Sequence, residues 1–181
     1  MYNFVYNLND KDYLEFNTYH FNSTPSYQKR LLVTKLFVPV VFAVLLVYFY
    51  VRDRYLFPVL VSGFVYAALS VVWFFAVKPL TIMGLKMRIN SLKKDGKLPY
   101  DKNIRLKFDD MSICETSEKG EARLFYSVIE RIVEDNHAFY IYHSAIEAFI
   151  IPFSVFDNIE QKNGFFEFIN AKCLIARDTE V

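Results

Sequence analysis

The chain has 181 residues, 54% of them apolar, and a formal charge of +1. So small a net charge excludes the global basic field of a nucleic-acid-binding protein. Two cysteines, Cys114 and Cys173, with no CxxC or Cys/His spacing, argue against a secreted domain stapled by disulfides.

The first thirty residues carry Asp10, Asp12 and Glu15 and lack an apolar core, so they do not read as a cleavable signal peptide. Alternation of Phe4, Tyr6 and Leu8 predicts a short strand. Asn9-Asp10 predicts the cap of a short helix over Lys11 to His20, with Tyr13, Phe16 and His20 at helical spacing. The run NSTPS at 22–26 breaks it. Elements this small need a partner surface, expected in the C-terminal region.

Apolar residues concentrate between Leu31 and Val77. Leu56 to Val77 runs 22 residues without a charge, about 33 Å as a helix, enough for a hydrocarbon core of about 30 Å. A helix so apolar all round would need protein on every side to be a soluble core helix. The preceding segment, extended back to Leu31, takes in Lys35 and Pro39 near one end, where a lysine can snorkel and a proline is tolerated. Arg52-Asp53-Arg54 separates the two, and so short a connection predicts an antiparallel hairpin over 31–78. Tyr48, Tyr50 and Tyr55 bracket the elbow, and Trp73 lies near the far end, as interfacial aromatics do.

Cations fix the expected orientation. Lys29, Arg30 and Lys35 precede the hairpin and Lys78, Lys86, Arg88, Lys93, Lys94 and Lys97 follow it, nine against Arg52 and Arg54 at the elbow. The positive-inside rule then places both termini in the cytoplasm. Lys29, Arg30, Lys35, Lys78, Lys86, Arg88, Lys93 and Lys94 are the candidate membrane-surface contacts; the later cluster reads equally as a solvated helix face. Residues 79–97 form a basic helix or linker with Ile82, Leu85, Ile89 and Leu92 on one face, closed by Gly96 before Pro99. That helix either continues the second span or lies separately at the interface.

From Ile104 the period changes to two. Ile104, Leu106 and Phe108, then MSICET, RLFYSV, RIVED, AFYIYHS and EAFIIPF, predict strands punctuated by turns at Asp109-Asp110 and SEKGE. A last helix starts near Ser154 to Asp157, with Phe165, Phe168, Ile169 and Cys173 on its face. Residues 98–181 therefore read as an α+β domain, a small antiparallel barrel or sandwich closed by a C-terminal helix.

This arrangement resembles the YcxB-like family of small bacterial membrane proteins. The resemblance rests on LNDKDYLEFNTYHFNSTPS, the two spans and the stretch from Leu106 to Phe156. Within it are a strand ending in Phe108-Asp109-Asp110, a Y-x-x-I element from Tyr126 to Ile129, and an I-P-x-x-x-F step at Ile151, Pro152 and Phe156. Phe153 and Ser127 stand where members of the family often carry a basic residue and a tryptophan. The resemblance implies a pleckstrin-homology-like cytosolic domain in the bacterial cytoplasmic membrane and no known reaction.

Little in the sequence points to chemistry. His20, His137 and His143 have no ligand partner at i+3 or i+4, the five glycines are scattered singly, and no G-x-S-x-G occurs. No catalytic, cofactor or metal site is expected; an enzyme would have to use a constellation such as Tyr140, His143 and Glu147. The expected function is a non-enzymatic membrane protein tethering a module that binds a protein, a peptide or lipid headgroups. The alternative is an accessory subunit of a membrane transporter or envelope-maintenance complex. Expected partners are the bilayer and a protein or a second copy, not nucleic acid, and no cofactor.

Overall fold

A computed structural model describes residues 1–53 and 56–178. Arg54 and Tyr55 of the expected elbow, and residues 179–181, lie outside the described residues. The chain forms two compact units: Met1–His20 together with the chain from Ser91 onward, and Phe21–Asn90.

The first unit holds seven strands. β1 (Tyr2–Asn7), β2 (Asn103–Phe108), β3 (Ser112–Ser117) and β4 (Gly120–Phe125) form one antiparallel sheet in that order; β5 (Arg131–Glu134), β6 (Ala138–Tyr142) and β7 (Ala148–Pro152) form another. The N-terminal strand meets its partner about a hundred residues later: Tyr2, Phe4 and Tyr6 stand opposite Phe108, Leu106 and Ile104. Side chains alternate across a pleated strand, so these six residues share the core face.

Of the expected barrel or sandwich, the closed barrel is not formed; the sheets are open. Between β4 and β5 the chain makes a single 3₁₀ turn, Tyr126–Val128, where RLFYSV read as continuous strand. That turn takes the backbone out of the first sheet, and Glu130 then donates its N–H to the Tyr142 carbonyl in the second. At the second hairpin of the first sheet, Ser117 pairs with Gly120 across Glu118-Lys119. Gly120 takes φ +141°, a conformation side chains disfavour.

α1 (Asp10–Ser23) and α4 (Ile159–Asp178) cover opposite faces of the second sheet. Phe16 of α1 lies 5.3 Å from Tyr140 and Phe165 of α4 5.8 Å from Phe139. β6 is consequently buried at every position, which explains its unbroken AFYIY. α1 begins in a capping box: Asn9 Oδ1 accepts from the N–H groups of Lys11 and Asp12, and Asp12 Oδ2 from that of Asn9. A second 3₁₀ turn, Phe153–Val155, precedes α4, which starts later than expected with Asn158 Oδ1 accepting from Gln161 N–H.

α2 (Pro25–Asp53) and α3 (Leu56–Lys94) are both long and apolar enough to cross a membrane, and no residue of either apolar window is buried. α2 starts at Pro25, inside the run expected to be a break, because a proline is well suited to the first helical position. Gly96, with φ +69°, ends α3: Lys97 N–H bonds to the Leu92 carbonyl and Gly96 N–H to that of Lys93, a Schellman closure.

The two helices pack as an antiparallel pair. Trp73 Nε1 donates to the Thr34 carbonyl at 3.0 Å, Phe42 stacks on Tyr66 at 4.6 Å, and Gly63 faces Leu46. As the partner number rises along α2 it falls along α3, the signature of a hairpin. By the same register Arg30 stands level with Lys78, so the charge-free stretches Leu36–Val51 and Phe57–Val77 lie alongside each other. Ser62, Ser70 and Thr81 return their hydroxyls to carbonyls four residues earlier, the arrangement that satisfies polar groups where water is absent.

Candidate functional site

The Y-x-x-I element builds one wall of a surface groove. A 3₁₀ turn repeats every three residues, so Tyr126 and Ile129 both point inward, at 1% and 2% exposure, leaving Ser127 and Val128 outside. Tyr126 donates its hydroxyl to the Asp109 carbonyl at 2.8 Å, which ties the turn to the β2–β3 hairpin. Burial holds this phenol well above its ordinary pKa. The opposite wall is α4, anchored by Phe165, Ile169 and Cys173 at helical spacing. Burial pushes the Cys173 thiol up to about 11 despite Arg177 nearby, so it serves as a small core hydrophobe.

Between the walls is a cavity of about 350 Å³ lined by Met111, Phe125, Tyr126, Ser127, Ile175 and Ala176, with Asp110 and Lys172 at its edge. The Lys172 ammonium donates to the Asp110 backbone carbonyl at 3.0 Å and carboxylate at 3.2 Å. Met111 is 73% exposed, Phe125 54% and Leu174 61%. Beyond α4 a second cavity of about 260 Å³ includes Ile129, Arg131, Cys173 and Leu174. There the Arg177 guanidinium donates to the carbonyls of Ile129 and Glu130 at 2.7 and 2.9 Å.

The sequence named Asp110, Tyr126, Ser127, Ile129 and Cys173 as turn, motif or core residues, and none of the lining residues as part of a site. The available signal was apolar residues out of phase: Phe125 beside inward Leu124, and Leu174-Ile175 beside buried Cys173.

The eight expected surface cations sit elsewhere and not on one face. Lys29, Arg30 and Lys35 occupy the start of α2, where the Lys35 ammonium lies 4.4 Å from the Phe74 ring centre. Lys78, Lys86, Arg88, Lys93 and Lys94 are on the second half of α3. At about 100° per residue, Lys78, Lys86 and Lys93 share one side while Arg88 and Lys94 point elsewhere; the set extends about 24 Å along the axis. Lys93 is engaged in a 2.6 Å ion pair with Asp10, whose other oxygen accepts from the Tyr100 hydroxyl.

Tyr140, His143 and Glu147 do not converge through side-chain hydrogen bonds among the described residues. Tyr140 donates to Asp135 at 3.3 Å, His143 rests on the Phe149 ring, and Glu147 turns the β6–β7 hairpin with Ser144. Tyr140 lies within β6, whereas His143 lies just past its end against Phe149. His20 stacks near Tyr142, and His137 lies 3.9 Å from Glu15. No group of three potential metal ligands occurs among the described residues.

Residues 108–169 match the family model described as YcxB-like protein. Over that segment the chain is similar to the YcxB-like family. It runs from core Phe108 to core Ile169, taking in β3 to β7, both 3₁₀ turns and the first half of α4. No curated protein and no solved structure matches the chain. Within the matched segment, Ser127 falls in the groove wall, and Phe153 packs edge-on against Phe139 while Lys162 of α4 reaches over the Phe153 ring at 4.6 Å.

Proposed function

We propose that the protein is an integral membrane protein in which a two-helix anchor carries a non-enzymatic, pleckstrin-homology-like binding module in the cytoplasm. The observation that supports it most is the place of the hairpin in the chain. The apolar pair leaves the first unit after His20 and returns at Ser91, between two strands, β1 and β2, that pair with each other. A hairpin inserted into one domain requires both its ends on the same side of a bilayer, independently of any charge rule. The nine-to-two cation bias then favours the cytoplasm.

The strand order, four then three followed by one helix, supports the pleckstrin-homology-like reading. Spans without an ionisable group deeper than Lys35 speak against an ion path within this chain. The groove between the 3₁₀ turn and α4 is the binding surface this reading designates.

A photoreactive phenylalanine analogue placed at Phe125 in the full chain, in its native membrane, tests it. Ile159, 73% exposed at the other end of α4, is the control position. Adducts are expected at 125 and not at 159; equal yields at both positions would remove the groove from the account.

A further inference from the structure

Among the cavities, charged clusters and apolar faces, the end of the first unit around α4's last turns stands apart. Met111 projects from the β2–β3 turn, Phe125 from the end of edge strand β4, Val128 from the 3₁₀ turn and Leu174 from α4, each 47% exposed or more. Met111 and Phe125 line the cavity of about 350 Å³ and Leu174 lines the second cavity beyond α4; isolated exposed apolar residues are ordinary, but several at one end of a domain mark an interaction surface.

Cations border the same group. Arg123 shares the outer face of β4 with Phe125 and donates its Nε–H to Ser112 Oγ at 3.0 Å. Arg177 donates to backbone carbonyls. Neither guanidinium is in an ion pair among the described residues, so neither positive charge is offset by a carboxylate in contact with it. Lys172 also lines the cavity, its ammonium engaged by the Asp110 carbonyl and carboxylate at 3.0 and 3.2 Å.

We infer that this end of the domain is a docking surface for an anionic bilayer face, the apolar points entering the acyl boundary and Arg123 and Arg177 meeting headgroup phosphates. The inference deepens the binding-module reading above and rests on it. Three features favour lipid over a protein partner. The apolar residues are separate projecting points on a turn, a strand end and a helix end, which a fluid interface accommodates without a matching shape. A cavity of about 350 Å³ admits a side chain or an acyl segment, not a helix. The chain also carries its own bilayer-crossing helices, which keep lipid at high effective concentration.

The test uses the full-length protein in vesicles of phosphatidylcholine alone or mixed with phosphatidylglycerol. An environment-sensitive fluorophore is attached at Met111→Cys, or at Ile159→Cys as control, in a Cys114→Ser background that leaves only buried Cys173. At 111, blue-shifted emission and quenching by brominated lipid are expected with phosphatidylglycerol, weakened by salt and absent at 159. Arg123→Gln lowers docking about fivefold, the effect of one basic residue at an anionic surface. Equal aqueous quenching at 111 and 159 in both lipids would overturn the inference. If that result came with protection of residue 111 only in native membranes, lipid docking would fail while the binding-module reading stood.

Discussion

Phe165 shows how single side chains hold the domain together. Its ring lies 5.0 Å from Phe108, 5.1 Å from Phe4, 5.2 Å from Tyr2, 5.5 Å from Phe156 and 5.8 Å from Phe139. It thereby joins α4 to both sheets at 0% exposure. Phe165→Ala should cost about 3–5 kcal/mol, seen as a fall in the domain's thermal midpoint of order 10 °C. An unchanged midpoint would show that the sheets do not depend on α4. Asp10 acts more weakly. Its hydrogen bond from Lys93, then that from Tyr100, holds its carboxyl below the ordinary value. A depressed carboxylate pKa contributes stability above the unfolded value, about 3.9, and loses it as pH falls through the folded value. The pair is over a third exposed, so Asp10→Asn should cost less than about 1 kcal/mol at neutral pH. The gap between wild type and variant in thermal melts should close in acid, below about pH 4; a gap unchanged at pH 3 would contradict the assignment.

β1 is the element on which the domain's architecture turns. Strands, helices and the closing Gly96 were legible in the sequence because period-two alternation, apolar length and turn residues are local signals. The partner of β1 was not, since nothing near Phe4 specifies β2 rather than another strand edge across the intervening hairpin. The barrel expectation failed at Tyr126, where a single 3₁₀ turn reads in sequence as two more strand residues. The groove escaped for a related reason: its walls come from Met111, Phe125 and Ile175, which only tertiary structure assembles. Removing residues 1–8 deletes β1 and Leu8, leaving an unpaired edge at β2 and the inner faces of Leu106 and Phe108 uncovered. The truncated protein should show loss of near-ultraviolet circular dichroism and rapid proteolysis between residues 98 and 178. A stable, dispersed domain after that truncation would mean that β1 is peripheral.

At the scale of the whole molecule, two long apolar helices lie in the chain between two strands that pair with each other. Pairing of β1 with β2 forces the chain to close its first sheet only after both apolar helices have been made. The same pairing makes the orientation testable at three points at once. Single cysteines at Val5, Asp53 and Lys119, in a Cys114→Ser background, are to be probed in intact cells with an impermeant maleimide, then again after permeabilisation. Residue 53 should label before permeabilisation, and residues 5 and 119 only after it. Labelling of residues 5 and 119 from opposite sides, or protection of residue 53 until the membrane is opened, would contradict an inward-facing domain built around a membrane hairpin.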